Sequence, residues 1–284
     1  MKISNILKTK DITVSCEIFP PKLHSELDQS RKIVSDIAAL KPDFISVTYG
    51  AAGTTASFTA ELADCVEKNN IPALAHVTCV SSDDKSLSEY LDSIKSYGID
   101  NILALRGDVP VGYEPKRVYS HASDLASAIK LYGDFCVGGA CYPEGHPEAA
   151  TVAADIEALK IKAESGCEFF TTQMFFDNEV MYSFLSKFQR KGINVPVIAG
   201  IMPITNTNQL KRSVALSGTS IPRSLREMVE RFGDHPDAMK QAGIAFATNQ
   251  IIDLIANGVN NIHIYAMNKP DIAAKILENI SSIR

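Results

Sequence analysis

The sequence places a carboxyl group where it could act as an acid. Glu17 interrupts the apolar segment 12–19, just ahead of Pro20 and Pro21. Removal from water favours the protonated form of a carboxyl group, and a carboxyl that keeps its proton can serve as a general acid. A Glu paired with a nearby Arg at the edge of a sheet is the structural alternative. The residues alone leave both interpretations open.

A second group of charged residues follows the apolar segment 101–106. Gly107 permits a tight bend there, which would direct Arg106 and Asp108 toward one ligand. A salt bridge between Arg106 and Asp108 is the alternative. The segment therefore predicts either contacts to a bound molecule or an ion pair.

Three further places combine polar side chains with apolar surroundings. The segment 142–148 joins Tyr142 and His146 to rigid prolines, a composition suited to a shaped binding loop. His76 and Gln173 lie within apolar segments, where an unpaired imidazole or amide costs free energy and needs a partner in the protein or in a ligand. These residues indicate an enzyme site without specifying its reaction.

The elements that must position these residues are short apolar segments that recur along the whole chain. They are 12–19, 44–49, 73–79, 101–106, 135–142, 169–176, 195–202 and 261–267. Amphipathic stretches separate them, including 30–40, 86–97, 152–165 and 239–256. This alternation predicts a parallel sheet with right-handed crossovers, and eight repeats predict a single (β/α)8 TIM barrel that spans residues 1–284 as one domain.

Two details refine the predicted architecture. The interval 203–260 is longer than the others and is expected to hold two or three helices and a loop around 217–223. A doubly wound open sheet is the alternative, but neither a Gly-x-Gly-x-x-Gly turn nor a P-loop occurs. In a barrel the chemistry lies at the carboxyl ends of the strands, so the polar residues above should meet there. Other polar residues at segment ends are Thr48, Thr78, Tyr265, Asn268 and Lys269.

The composition excludes several classes of protein. A net charge of -5 and a pI near 5.7 do not favour nucleic-acid binding, which needs clustered Lys and Arg. No apolar run is long enough for a membrane span or a signal peptide, so a cytoplasmic location is expected. The six cysteines form no Cys-x-x-Cys pair and the six histidines no His-x-x-x-His pair, so no metal site is expected.

Six motifs, in chain order, resemble those of the methylenetetrahydrofolate reductase family. They are 16–22, 44–50, 76–79, 105–108, 142–148 and 172–177. The resemblance covers nearly the whole chain. It implies a barrel that uses FAD, and NADH or NADPH as hydride donor, to reduce 5,10-methylenetetrahydrofolate to 5-methyltetrahydrofolate in one-carbon metabolism and methionine biosynthesis. It also implies a homo-oligomer, and leaves room for a partner protein as reductant.

The resemblance assigns roles to individual residues. Glu17 would be the general acid that helps to open the imidazolidine ring of the folate, and Asp108 would lie near flavin and folate and stabilise the developing cation. The flavin contacts implied are Thr48, His76, Arg106, Gly107, Asp108, Tyr142, His146, Ala149, Asp155 and Lys162. The substrate contacts implied are Glu17, Asp108, Gln173, Gln209, Tyr265 and Lys269.

The sequence differs from the family pattern at three positions. His121 stands where Tyr is common, Ser213 where an apolar or aromatic residue is usual, and Lys269 where Arg often occurs. These differences concern contacts to the flavin and to the folate tail. Two other enzyme classes remain as alternatives, a pterin-binding methyltransferase and a proline-dehydrogenase-like flavoenzyme, together with a subunit that serves mainly as a partner of another redox protein.

Overall fold

Eight parallel strands form a closed barrel in a computed structural model that describes residues 1–50, 56–109, 112, 114 and 118–284. Each strand pairs with the next along the chain, and the eighth pairs with the first. The strands are β1 (Thr13–Ile18), β2 (Ile45–Val47), β3 (Ala73–Thr78), β4 (Asn101–Leu105), β5 (Cys136–Cys141), β6 (Cys167–Thr172), β7 (Val197–Ile201) and β8 (Asn261–Ile264). The predicted TIM barrel is confirmed.

Helices connect and surround the strands. They are α1 (Ile3–Thr9), α2 (Leu27–Ala38), α3 (Ala56–Lys68), α4 (Asp84–Ser96), α5 (Ala122–Tyr132), α6 (Val152–Glu164), α7 (Asn178–Arg190), α8 (Thr207–Ser217), α9 (Arg223–Phe232), α10 (Pro236–Ala256) and α11 (Pro270–Asn279). The long interval before β8 holds α8, α9 and α10, as predicted. None of the helices in the described parts of the chain is both long and apolar enough to cross a membrane.

Local sequence signals set the ends of several helices. The Asn206 side chain accepts a hydrogen bond from the Gln209 backbone N–H at 2.8 Å and so caps the start of α8. The same helix ends at Gly218, whose φ of +69° is a left-handed conformation that glycine adopts without strain. Pro236 and Pro270 occupy the first turns of α10 and α11, where a missing N–H costs nothing.

The first helix closes the lower end of the barrel, a feature that the sequence analysis did not predict. Ile3, Ile6 and Leu7 pack against side chains inside the barrel, including Phe44 and Phe169. The Asn101 side chain accepts a hydrogen bond from the Ile3 N–H at 2.7 Å and anchors the helix to β4. Among the described residues α1 fills this end, and the barrel interior opens toward the carboxyl ends of the strands.

The sixth strand lies earlier in the chain than predicted. The apolar run suggested 169–176, whereas β6 covers Cys167–Thr172. After the strand, Met174 and Phe176 leave the sheet and pack in a separate apolar cluster beneath α8, α9 and α10. The run is long because it is buried against two different layers, so hydrophobicity alone placed the end of the strand too late.

Candidate functional site

A cavity of about 970 Å³ opens at the carboxyl ends of the strands. The loops after β1 to β6 and the end of β8 line it, together with the first turn of α5 and one face of α6. The predicted site residues that line it are Glu17, Thr48, His76, Arg106, Gly107, Asp108, Tyr142, His146, Ala149, Asp155, Lys162, Gln173 and Tyr265. The barrel thus brings residues from distant parts of the chain into one site at the carboxyl ends of its strands, as predicted.

Glu17 lies at the floor of this cavity with only 7 % of its surface exposed. Its Oε2 accepts a hydrogen bond from Ser46 Oγ at 3.4 Å, and it lies 3.8 Å from His263 Nε2 and 3.9 Å from His76 Nε2. Among the described residues no Arg or Lys forms an ion pair with it. The alternative of a Glu–Arg pair is therefore wrong for the described part of the chain, and the neighbours of the carboxyl are one serine and two histidines instead.

His76 is a buried imidazole without a hydrogen bond at one of its ring nitrogens. Its Nε2 has no partner among the described residues. Burial lowers the pKa of the ring from 6.5 to about 4, with His263 acting in the same direction and the charge of Glu17 opposing both. The ring is thus neutral near pH 7, and an unpaired buried nitrogen beside a cavity is a ready contact for a bound molecule.

His263 and Ser46 belong to the site although the sequence analysis did not single them out. His263 is 2 % exposed on β8, and its Nδ1 lies 2.7 Å from the hydroxyl oxygen of Ser15. The available signal was the polar residue between two isoleucines in Asn261–Ile264, a position that faces the barrel interior rather than the helices. Polar residues inside apolar strands merit the same attention as those at the ends.

Arg106 and Asp108 do not form the salt bridge that the sequence left open. Arg106 forms a two-point ion pair with Glu148 in the loop after β5, with its second nitrogen 2.9 Å from Oε1. Gly107 has a φ of +83°, and a Cβ there would lie 2.8 Å from Thr78 Cβ, so only glycine fits. Asp108 is exposed at the cavity wall without an ion pair among the described residues.

The loop after β5 forms a second wall. The Tyr142 ring meets the His146 ring edge-on, with centroids 4.7 Å apart. The His146 backbone N–H donates to Asp155 Oδ2 at 3.2 Å, and burial raises the pKa of that carboxyl. Burial and the charge of Arg106 lower the pKa of His146. Lys162 donates to the Ala140 carbonyl at 2.9 Å, so its positive charge lies inside the cavity rim.

Gln173 and Tyr265 continue the cavity lining at the ends of β6 and β8. Gln173 Oε1 accepts a hydrogen bond from the Met174 backbone N–H at 2.9 Å, so the protein supplies one partner of this amide. The Tyr265 hydroxyl donates to the Thr172 carbonyl at 2.6 Å. Burial, with a smaller contribution from the charge of Glu17, raises the pKa of this phenol well above its usual value.

Two predicted substrate contacts lie outside the cavity wall. Gln209 Oε1 accepts from the Thr205 N–H at 3.0 Å, and its amide nitrogen donates to the Pro203 carbonyl at 2.9 Å. Lys269 Nζ lies 3.4 Å from Thr205 Oγ1. Thr205 thus joins the two predicted residues in one polar cluster at the end of β7, beyond Tyr265.

The positions that differ from the family pattern lie in different surroundings. His121 lines the cavity at the start of α5, where its backbone N–H donates to the Asp124 carboxylate at 2.9 Å. Ser213 is 7 % exposed within α8 and does not line the cavity, and its carbonyl accepts from Ser217 Oγ at 2.8 Å. Of these two, only His121 contacts the space where a ligand could lie.

The sequence is similar over nearly its whole length to those of known reductases. The sequence model named Methylenetetrahydrofolate reductase matches residues 2–281. The chain is 33% identical over 271 residues to 5,10-methylenetetrahydrofolate reductase of Escherichia coli, covering 95% of this chain and 90% of that one. It is 32% identical over 303 residues to Methylenetetrahydrofolate reductase (NADH) 1 of Arabidopsis thaliana, covering 99% of this chain but 50% of that one.

A solved structure shares the fold. It is a protein from Clostridium thermocellum described as binding two copies of 5-methyl-5,6,7,8-tetrahydrofolic acid, with a TM-score of 0.72, 18% identity and 99% of both chains covered. The chain spans about half the length of the plant relatives it matches and 90% of the bacterial ones. The match to the family extends over nearly all of the chain, and it includes the residues that line the cavity. The chain therefore belongs to the methylenetetrahydrofolate reductase family of oxidoreductases.

Proposed function

We propose that this chain reduces 5,10-methylenetetrahydrofolate to 5-methyltetrahydrofolate, with FAD as cofactor and a nicotinamide as hydride donor. The observation that carries the proposal is the Glu17 carboxyl, 7 % exposed at the floor of a cavity of about 970 Å³. A carboxyl group in that position can protonate a bound molecule while bulk water is kept away from it. Membership of the family supplies the substrate class.

The residues of the cavity fit a flavin dinucleotide. His76 offers a buried Nε2 without a partner among the described residues, suited to a heterocycle's edge. The first turn of α5 and the ammonium group of Lys162 both face the cavity, and a helix start together with a cation suits phosphate groups. The small side chains of Ala154 and Ala158 on α6 also line the cavity, and they leave room for a flat ring. We assign to the same cofactor the contacts of Thr48, Arg106, Gly107, Asp108, Tyr142, His146, Ala149 and Asp155.

When bound, the flavin would supply hydride transfer from the nicotinamide to the folate. The protein's own residues then supply proton chemistry and position. Glu17 donates a proton to the folate nitrogen as the imidazolidine ring opens, and Asp108 places a negative charge beside the cation that develops. Gln173 and Tyr265 border the same space, where an amide and an aromatic ring can hold the pterin.

The glutamate end of the folate is assigned to the cluster beyond Tyr265. Lys269 supplies a cation there, and Gln209 fixes Thr205 through two hydrogen bonds. The structural neighbour described as binding 5-methyl-5,6,7,8-tetrahydrofolic acid supports a folate ligand for a barrel of this shape.

Further properties complete the proposal. Residues 1–284 would act as one catalytic domain in a cytoplasmic homo-oligomer that serves methionine biosynthesis. Plant relatives that carry NADH in their names support NADH rather than NADPH. A partner protein could replace the nicotinamide as reductant, and reduction by NADH alone tests this.

The absorption spectrum of the purified protein tests the proposed function. We expect a yellow protein that releases FAD, not FMN, on denaturation. NADH added without oxygen should bleach the flavin, and methylenetetrahydrofolate should then restore the absorbance. A colourless protein that cannot be reconstituted with FAD would contradict the proposal and favour a pterin-binding methyltransferase. Flavin that proline reduces and methylenetetrahydrofolate does not reoxidise would favour a proline-dehydrogenase-like enzyme.

A further inference from the structure

Beneath the cavity a series of buried polar groups continues from Glu17 into the barrel interior. Ser46 Oγ lies 3.4 Å from Glu17 Oε2 and 3.3 Å from His263 Nε2. On the far side of the imidazole, Nδ1 lies 2.7 Å from Ser15 Oγ, which lies 3.2 Å from the Ile262 carbonyl oxygen. None of the four side chains is more than 7 % exposed. Ser46 and His263 border the floor of the cavity with at most 2 % of their surface exposed, and Ser15 below them is fully buried.

The lower end of the series fixes the direction of its hydrogen bonds. A backbone carbonyl only accepts, so Ser15 can bond to Ile262 only by donating its single hydroxyl proton. Ser15 Oγ then accepts from His263, which places the imidazole proton on Nδ1 and leaves Nε2 as an acceptor. The reverse direction, from Ser15 to Nδ1, would lose the bond to Ile262. The arrangement that makes both bonds is the Nδ1–H tautomer.

Two aromatic rings pack against His263. It stacks on Phe44 with centroids 6.2 Å apart and meets Tyr265 edge-on at 5.1 Å, so two aromatic rings replace water around it. Its Nε2 lies 3.8 Å from Glu17 Oε2, too far for a charge-assisted hydrogen bond. The two side chains are therefore linked through the Ser46 hydroxyl and not by a direct hydrogen bond.

The upper end of the series depends on the protonation state of Glu17. With Glu17 protonated, its hydroxyl donates to Ser46, Ser46 donates to His263 Nε2, and every donor in the series finds an acceptor. With Glu17 ionised, Ser46 must donate to the carboxylate, and Nε2 loses its donor. The series is complete only while Glu17 holds its proton, because the neutral imidazole has no proton to offer at Nε2.

We propose that His263, held by Ser15 as the Nδ1–H tautomer, is a positioning residue that keeps Glu17 in its proton-donating form. When the proton passes from Glu17 to a nitrogen of the substrate, the Ser46 hydroxyl turns from His263 to the new carboxylate. No proton leaves His263 or Ser15, so the charge of the carboxylate is balanced by the protonated substrate. This inference rests on the proposed function, since it takes Glu17 as the acid.

The other titratable neighbours do not supply a competing proton. His76 Nε2 lies 3.9 Å from Glu17 Oε2, and burial holds the pKa of that ring at about 4, so it is neutral near pH 7. The Tyr265 hydroxyl is bonded to the Thr172 carbonyl, and its pKa is raised well above the usual value. Protons for a new turnover must therefore reach Glu17 from the cavity side.

The tautomer of His263 can be measured directly by nuclear magnetic resonance on protein labelled with ¹⁵N-histidine. Only six histidines are present, and His263→Asn identifies the signals. We expect Nδ1 protonated and Nε2 bare near pH 7. An Nε2–H tautomer or an imidazolium would overturn the inference, whether or not the protein reduces folate. Absence of folate reduction would instead overturn the proposed function and leave the tautomer measurement valid.

Two substitutions of His263 separate its hydrogen bond with Ser46 at Nε2 from its hydrogen bond with Ser15 at Nδ1. Asn can keep a donor toward Ser15 but has no atom at the Nε2 position, whereas Gln can place its amide oxygen there. We expect His263→Asn to slow flavin reoxidation by methylenetetrahydrofolate about 5- to 10-fold, the effect of one lost hydrogen bond, and His263→Gln to slow it less. Flavin reduction by NADH should stay unchanged in both.

Phe44→Leu provides the packing control, because it removes the ring stacked on His263 and leaves every hydrogen-bonding group of the polar series in place. It should leave the rate of the folate step within about 2-fold of that of the unaltered protein, which is a smaller change than a lost hydrogen bond would cause. The inference would be overturned if His263→Gln slowed the folate step more than His263→Asn does. Equal rate losses in Phe44→Leu and His263→Asn would also overturn it, because they would indicate a purely structural role for His263.

Discussion

The ring of Tyr265 occupies the space that a side chain on Gly200 would fill. A Cβ at Gly200 would lie 2.6 Å from Tyr265 Cε2 and 2.7 Å from its hydroxyl oxygen. Through this gap the hydroxyl reaches from the end of β8, across β7, to the Thr172 carbonyl at the end of β6. Gly200 thus determines where the aromatic wall of the cavity lies.

Gly200→Ala should displace the Tyr265 ring and weaken folate binding. We expect the folate KM to rise about 10-fold and the free energy of unfolding to fall by about 1–3 kcal/mol, as in other overpacked interiors. Steady-state kinetics and urea unfolding followed by circular dichroism measure the two effects. In a Tyr265→Ala background the same substitution should cost less, because only the contact with the Thr172 carbonyl oxygen, at 2.5 Å, remains. Equal costs in both backgrounds would mean that Gly200 acts through Thr172 alone.

Asp108→Asn should retain flavin and slow the folate step by about 10- to 100-fold, because it removes a negative charge beside a developing cation. Rapid-reaction measurements of flavin reoxidation check this. The matched control is Glu148→Gln, which removes the partner of Arg106 at the same rim while keeping Asp108. Unchanged reoxidation in Asp108→Asn would exclude the residue from the reaction.

Lys269→Ala should raise the folate KM by a small factor, about 2- to 5-fold, with little change in flavin reduction by NADH. A Lys lacks the two-point geometry with which Arg binds carboxylates, so one exposed cation contributes modestly. Lys275→Ala on α11 serves as control, because it removes a similar charge that lies 54 % exposed beside Glu278. Similar KM values for both variants would place Lys269 outside the substrate site.

His76 should make the fold less stable in acid. Its pKa in the folded protein is about 4, against 6.5 in the unfolded chain, so the unfolded chain alone binds this proton between those values. Acidification through that range therefore favours unfolding, by up to about 3 kcal/mol, while above pH 6.5 the effect is absent. Circular dichroism suits the measurement because the chain has no Trp. His76→Gln should lose less stability between pH 7.5 and 5 than the unaltered protein, and an equal loss would contradict the lowered pKa.

Much of the fold followed from the sequence because barrel strands are short, apolar and regularly spaced. The exceptions have physical causes. The helix Ile3–Thr9 was not predicted, because seven residues carry too little periodicity and its stability comes from packing into the barrel. The end of β6 was placed too late because Met174 and Phe176 are buried by other helices.

Some residues of the site could likewise be predicted from the sequence, and others could not. Glu17, Arg106 and Tyr142 could be found because they lie at or near the carboxyl ends of apolar segments, where barrel loops converge. The partner of Arg106 could not, since Glu148 lies in the next loop and only the folded chain brings the two together. His263 was hidden for another reason. Its position between two isoleucines is visible in the sequence, but its contacts with Ser15, Ser46 and Glu17 are made across the barrel and exist only in the folded chain.

In the proposed function Glu17 gives its proton to the folate and takes no part in flavin reduction. Replacement by Gln keeps the size of the side chain and removes the transferable proton, so the anaerobic half-reactions of Glu17→Gln separate the two roles. Flavin reduction by NADH should proceed at its usual rate, while reoxidation by methylenetetrahydrofolate should fall by about 10²–10⁴-fold. Reoxidation at the unaltered rate, or loss of both half-reactions together, would contradict the role of Glu17 as the acid.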